Sequence, residues 1–350
     1  MNANPFLGVF LHAVGGFAAA SFYIPFKKVK GWSWETYWLV GGFFSWIIAP
    51  WVVSLIVCPD LFGIFAATPL NTKLWCYFFG MLWGIGGLTF GLSMRYLGMS
   101  LGYALALGFC AAFGTIVPAV AHGEILKIAS VHSGQVTLAG VAVCMFGIAT
   151  CGKAGVLKES EVSEEAKKAT IQEFDFKKGL WVAIFAGLLS ACMAFGIDAG
   201  KPMADLARIH HTPDLFVNSP VFIFIFAGGF TTNVIWCLFL SMKNGTAKDY
   251  VNAHGGSLPI NYIFSALAGI TWYCQFMFYG MGSTQMGKYG FSSWTLHMAF
   301  IIVFSNLWGL SFKEWKGSSK RTLSFVYSGL IILVLSTVVV GIGNYIGVAK

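Results

Sequence analysis

His12 and His297 stand inside long apolar runs, and they are the groups of this chain best suited to carry a proton. An imidazole titrates near neutral pH, so a small change of surroundings moves it across the physiological range. The alternative for each is a neutral ring hydrogen-bonded to a neighbouring helix. Asp198 is a third candidate for proton chemistry, near the end of another apolar run. Lys201 follows it by three residues, a spacing that allows an ion pair instead. A second kind of chemistry gathers at Gln275, whose amide offers two donors and an acceptor. Trp272, Tyr273 and Tyr279 share its segment, and Trp83 holds the equivalent place earlier in the chain. Such a mixed aromatic and amide group could line a substrate site. Packing and lipid contact are the alternatives for each aromatic.

Other chemistries are missing from the pattern. The eight cysteines form no CxxC pair, so neither zinc nor redox chemistry is expected. Cys58 and Cys76 flank one loop and could pair, but free packing thiols fit better. No H-E-x-x-H or Ser-His-Asp set, dinucleotide fingerprint or P-loop appears, so the chain reads as no enzyme and as needing no cofactor. A channel would show a repeated selectivity element or charged rings, and neither is visible.

The elements that position these residues are membrane helices. The chain is 57% hydrophobic and only 10% charged, where a soluble domain carries about 25% charge. Apolar stretches long enough to cross a bilayer are read at Phe6–Phe26, Thr36–Val57, Leu74–Met94, Gly98–Ala121, Gly134–Cys151, Gly179–Ala199, Phe216–Met242, Ile260–Met281, Gly290–Phe312 and Leu323–Val348. The fold class is therefore all-α, a polytopic membrane protein of ten transmembrane helices. A charged stretch, residues 153–178, separates a first five-helix half (1–152) from a second (179–350). Five spans per half start the second half on the opposite side, the inverted-repeat plan of many carriers. The segments Trp83-Gly84-Ile85 to Ser100 and Trp272-Tyr273 to Ser283 support it. In both, an aromatic-rich helix runs into a Gly-Met/Gly-Ser break. A site between the halves near the midplane is expected, lined by the first, third, eighth and ninth spans. Glycines four apart, Gly80/Gly84, Gly87/Gly91 and Gly98/Gly102, suit close helix approach in lipid.

No removable leader is expected, because the first run lacks a basic start and ends at Pro25-Phe26-Lys27-Lys28. Sixteen of the 22 Lys and Arg fall in odd-numbered loops. Cytoplasmic loops carry the basic excess, so those loops and the 153–178 linker face the cytoplasm and both termini face out. The net charge of +8 is an orientation signal rather than a nucleic-acid surface, since it is spread over many loops. Lys27, Lys28 and Lys30 beside Trp32 and Trp34 form an interfacial anchor; Glu35 could pair with one of these lysines as an inward gate. Arg95, Lys313 and Glu314 sit at helix ends as anchors.

Several blocks resemble the bacterial L-rhamnose–proton symporter family, within the drug/metabolite transporter superfamily. They are Phe22-Tyr23 through Trp32-Ser33-Trp34-Glu35-Thr36, Met81 to Gly86, and Met94-Arg95-Tyr96-Leu97-Gly98-Met99-Ser100. Trp272-Tyr273 with Gln275-Phe276, Trp294 with Leu296-His297-Met298, and Lys313-Glu314-Trp315 complete the series in matching order. Asp198 and Gly290 depart from the pattern, which has an uncharged amide and an acidic residue there. The resemblance implies ten helices and proton-coupled uptake of L-rhamnose or a related 6-deoxyhexose through the bacterial inner membrane, with sugar, proton and lipid bilayer as the partners. It makes another small-metabolite or drug carrier of the same superfamily the alternative. Gln275, Trp83, Trp272, Tyr273 and Tyr279 then become sugar-binding candidates, and His297, His12 and Asp198 proton-coupling candidates. The topology is tested by Lys168→Cys, which is expected to react with an impermeant thiol reagent only from the cytoplasmic side. Labelling only from outside would sink it.

Overall fold

The computed structural model describes residues 3–97, 99–161, 176–313 and 315–348, and the regular elements among them are all helical. Most of the 153–178 linker, Gly98 and Glu314 lie outside the described residues. The long helices are α1 (Pro5–Ser21), α2 (Trp34–Val57), α3 (Leu70–Leu97), α4 (Met99–Ala121) and α5 (His132–Ser160). After the linker come α6 (Phe176–Ala199), α7 (Ser219–Asn244), α8 (Leu258–Thr284), α9 (Ser292–Ser311) and α10 (Lys320–Val348). Short helices at Leu61–Ala67, Ile125–Ala129 and Lys201–Ile209 lie in the connections. Among the described residues, seven helical stretches are long and apolar enough to cross a membrane: those containing α1, α2, α5, α6, α7, α9 and α10. α3 and α8 are of similar length, 28 and 27 residues. Both bear candidate site residues.

The chain forms two compact units. One comprises Met1–Phe17, Gly86–Ala194 and Gly282–Lys350; the other comprises Ala18–Ile85 and Phe195–Met281. Each unit draws on both sides of the linker. The smaller one takes the end of α1, all of α2 and the start of α3 from the first half. From the second it takes the end of α6, all of α7 and the start of α8, the corresponding elements.

Within the larger unit α5 and α10 pack along their length. Gly140 faces Val340, Gly147 faces Leu333, Gly343 faces Thr137, and Gly329 faces Cys151. Within the smaller unit α3 and α7 cross with their backbones in contact. A Cβ on Gly80 would collide with the Ile225 carbonyl, and one on Gly228 with the Tyr77 carbonyl. Close approach of this kind is how helices gain packing in lipid, where no hydrophobic force separates helix from solvent. Gly84 serves the same crossing, against Thr232 and Gly229, whereas a Cβ on Gly87 would meet nothing within 4 Å.

Carboxylates hold the helix ends. Asp249, buried in the α7–α8 connection, accepts from the Ser33 backbone N–H (2.9 Å), the Ser33 hydroxyl (2.6 Å) and the Thr36 hydroxyl (3.2 Å) at the start of α2. It thus lies at the positive end of that helix dipole. Burial works against its charge, but the Ser33 and Thr36 bonds and nearby His254 hold its carboxyl below the usual range. Glu35, in the first turn of α2, accepts from Asn244 Nδ2 (3.0 Å) and Thr246 Oγ1 (2.9 Å). Asp60 caps Leu61–Ala67 through the Gly63 N–H (2.9 Å) and bonds His210 Nδ1 (2.7 Å). The His210 bond, then the Gly63 bond, keep its carboxyl below the ordinary value. All eight cysteines, Cys58 and Cys76 included, are free thiols.

The glycine contacts generate a paired prediction. Gly80→Ala is expected to lower the thermal midpoint of the detergent-solubilised protein, since overpacking against backbone costs about 1–3 kcal/mol. Gly87→Ala on the same helix is expected to leave it unchanged. Equal midpoints for the two variants would show that the α3–α7 crossing does not depend on Gly80.

Candidate functional site

In the larger unit the fold brings together two residues that lie 285 positions apart in the chain. His12, on α1, and His297, on α9, have ring centroids 6.1 Å apart at an interplanar angle of 61°. Both are fully buried. The His12 ring lies against α8, where a Cβ on Gly282 would sit 3.0 Å from it. That close approach accounts for a glycine in the Gly-Met-Gly-Ser break.

The first two turns of α9 are buried throughout, from Ser292 to Ala299, and neighbouring helices fix their rotation. Trp294 Nε1 donates to the Cys110 carbonyl on α4 (3.0 Å) across Gly114, the Thr295 hydroxyl bonds Thr115 (2.6 Å), and Asn344 Nδ2 donates to Ser292 Oγ (3.1 Å). These bonds hold His297 toward His12.

The smaller unit holds the aromatic and amide candidates. Phe22 and Trp272 have centroids 4.1 Å apart, Trp272 and Phe276 6.1 Å, Phe276 and Trp83 5.4 Å, and Trp83 and Trp46 6.0 Å. Tyr273 joins through Phe226 at 6.0 Å. Gly229 leaves the space that the Trp83 ring fills, 2.6 Å from where a Cβ would stand. Gln275 is 3% exposed, and its Nε2 has no hydrogen-bond partner among the described residues; neither does the Trp272 Nε1 nor the Tyr273 hydroxyl. Tyr279, also buried, lies about one turn beyond Gln275, within the field of Asp198. Asp198 forms the ion pair that its spacing allowed, 2.5 Å from Lys201 Nζ, a quarter exposed. It belongs to the smaller unit and the histidines to the larger.

A narrow crevice opens among these rings, lined by Phe22, Phe26 and Trp38, by Gly41, Gly42, Ser45 and Trp46 of α2, and by Ala268, Gly269 and Trp272 of α8. Its free volume is ≈ 10 Å³, room for about one water rather than a sugar. Trp38 is oriented by its Nε1, which donates to Asn233 Oδ1 (3.0 Å). Sequence reasoning missed Phe22, Trp38, Ser45 and Trp46 as site residues. Thirteen tryptophans and 33 phenylalanines give no signal for choosing among them.

Groups able to hold a proton, and groups able to hold a neutral hydroxylated ligand, both buried in a membrane-spanning chain, are the equipment of a secondary carrier. The family of that carrier follows from comparison with known proteins. The model of the family described as L-rhamnose-proton symport protein matches residues 1–346, and the chain belongs to that family. It is similar to an L-rhamnose-proton symporter of Yersinia pestis (strain Pestoides F) and to one of Yersinia pseudotuberculosis (serotype O:1b, strain IP 31758). Each is 39% identical over 346 residues, covering 98% of this chain and 99% of the relative.

Proposed function

We propose that the chain is a carrier that takes up L-rhamnose together with a proton by alternating access. The observation that carries this reading is the group Trp272, Tyr273 and Gln275 on α8, three side chains within four residues whose buried donors have no partner among the described residues. An unsatisfied buried polar group costs roughly 1–3 kcal/mol. Trp272 and Gln275, about 60° apart around the helix, are understood if one ligand's hydroxyls complete them. A 6-deoxyhexose supplies hydroxyls for Gln275 and the indole N–H, and a methyl and C–H face for Trp83, Trp272, Tyr273 and Tyr279.

The proton is assigned to the histidine pair, His297 first and His12 second, with Asp198 the next candidate. Two imidazolium rings at this separation repel strongly away from water, so the pair takes one proton at a time. Coupling requires that bound sugar change the pair's proton affinity, and the effect must be reciprocal.

The reading includes ten spans in two inverted five-helix repeats, with α3, α4 and α8 also crossing the bilayer of the inner membrane and both termini outside the cytoplasm. What supports the repeats is that each compact unit takes corresponding elements from both halves. What supports the orientation is the concentration of basic residues in odd-numbered loops.

Purified protein in proteoliposomes is expected to accumulate labelled L-rhamnose when a proton gradient is imposed and to lose the accumulation when the gradient is dissipated. Accumulation unaffected by dissipation would refute proton coupling. Gln275→Ala is expected to weaken sugar binding by roughly two- to twelve-fold, the equivalent of one hydrogen bond to an uncharged ligand; unchanged affinity in a folded variant removes Gln275 from the site. His297→Gln keeps a similar size and removes titration. It is expected to bind sugar while losing sugar-induced proton uptake. If that uptake persists at the wild-type level, His297 does not couple and Asp198 is tested next.

A further inference from the structure

The second helix contains a defect opposite the candidate sugar residues. Phe44–Ile48 is a π turn inside α2, closed by the Ala49 N–H bonding the Phe44 carbonyl five residues back. Single π turns inside α-helices occur often at functional sites, because the extra residue re-aims the side chains around it. Pro50 follows, which cannot donate to the Trp46 carbonyl.

The side chains in this turn are left incomplete. Buried Ser and Thr in a helix ordinarily return the hydroxyl to a carbonyl of their own helix. Ser93, Thr137 and Ser336 do so, at 2.7, 2.9 and 2.7 Å. Ser45, 1% exposed, does not: its hydroxyl has no partner among the described residues, as is true of Ser54, Ser265 and Ser293, but of these four serines it is Ser45 that lines the crevice. The next residue, Trp46, is 4% exposed, and its Nε1 likewise has none.

Both residues line the crevice. Trp272, also with an unpartnered Nε1, lines it from α8. The two helices meet directly here, since a Cβ on Gly269 would collide with the Gly41 carbonyl. The crevice is therefore walled by aromatic rings and glycine backbone, and the residues that line it include two buried indole donors and one buried hydroxyl without a partner among the described residues.

We infer that Ser45 and Trp46, presented by the π turn of α2, are specificity-determining residues that read sugar hydroxyls together with Trp272. The inference rests on the proposed sugar-carrier function. The Trp46 and Trp272 N–H groups donate to two hydroxyl oxygens of the 6-deoxyhexose, and Ser45 bonds a third hydroxyl. Because the crevice holds little more than one water, sugar entry requires the Trp46 and Trp272 rings to part, so binding is expected to change their fluorescence.

The test measures L-rhamnose affinity calorimetrically for the full-length wild type, Ser45→Ala and Trp46→Phe, together with the thermal midpoint of each without sugar. Each variant is expected to bind roughly two- to twelve-fold more weakly. The sugar-free midpoint is expected to stay level or rise, because an unsatisfied polar group has been removed. Ser45→Ala is further expected to lose the wild type's discrimination against one monodeoxy analogue of L-rhamnose.

Wild-type affinity in both variants, while Gln275→Ala remains weakened, would overturn the inference and leave the sugar-carrier reading standing. A weakened variant with a lowered sugar-free midpoint would indicate a packing role and also overturn it. No binding of L-rhamnose by the wild type would overturn the sugar reading itself, and this inference with it. Should Trp46→Phe fail to fold, Ser45→Ala decides alone.

Discussion

A helix in hydrocarbon finds hydrogen-bond partners only within the protein, and most of this structure follows from that constraint. Hydroxyls of Thr150, Thr231, Thr271 and Ser336 turn back to their own helices. Indoles of Trp38 and Trp294 reach an amide and a carbonyl on neighbouring helices. Water offers no apolar driving force within the bilayer, so close packing takes its place, and helices touch backbone to backbone at Gly80 with Ile225, Gly228 with Tyr77, and Gly41 with Gly269. Against that background the polar atoms left without a protein partner stand out, and in the smaller unit several lie on the facing stretches of α2 and α8.

The same constraint sorts the ionisable groups by depth. Carboxylates are costly inside the membrane, and here they fasten helix ends. Asp249 and Glu35 secure the α7–α8 connection to the start of α2. Glu161 accepts from the Ser319 backbone N–H (2.9 Å) and from the Ser319 and Thr322 hydroxyls at the start of α10. Those hydroxyl bonds hold its carboxyl below the ordinary range. Lys158 adds a cation–π contact with Trp315, 4.7 Å from the ring centroid. With the acids committed to the ends, the buried histidines are the deep groups able to gain and lose a proton without a permanent charge in the core. This is the physical ground for assigning them the coupling role.

Much of the fold was legible because hydrophobic length is a local property. Runs of apolar residues mark spans wherever they occur; the helices found at His132–Ser160 and Lys320–Val348 cover the runs read there, and Ser219–Asn244 covers all but the first three residues of its run. The small-residue spacing at Gly80 and Gly84 also announced a close crossing, though not its partner. Gln275 and the two histidines were legible as candidates because a polar group in a span has to be explained. Gly87 shows the limit: the same spacing, with nothing near it.

The sequence by itself determined the membrane class, the family, the positions of the long apolar helices, and which polar residues had to be accounted for. Each depends on residue type and short-range spacing. Only the tertiary structure decided that His12 and His297 face one another, that Glu35 accepts from Asn244 and Thr246, and that Ser45 and Trp46 line the crevice with Trp272. These depend on the rotation of each helix about its axis and on a one-residue π insertion. Both are set by contacts between distant segments, and a chain this rich in aromatic and glycine residues carries no local mark of either.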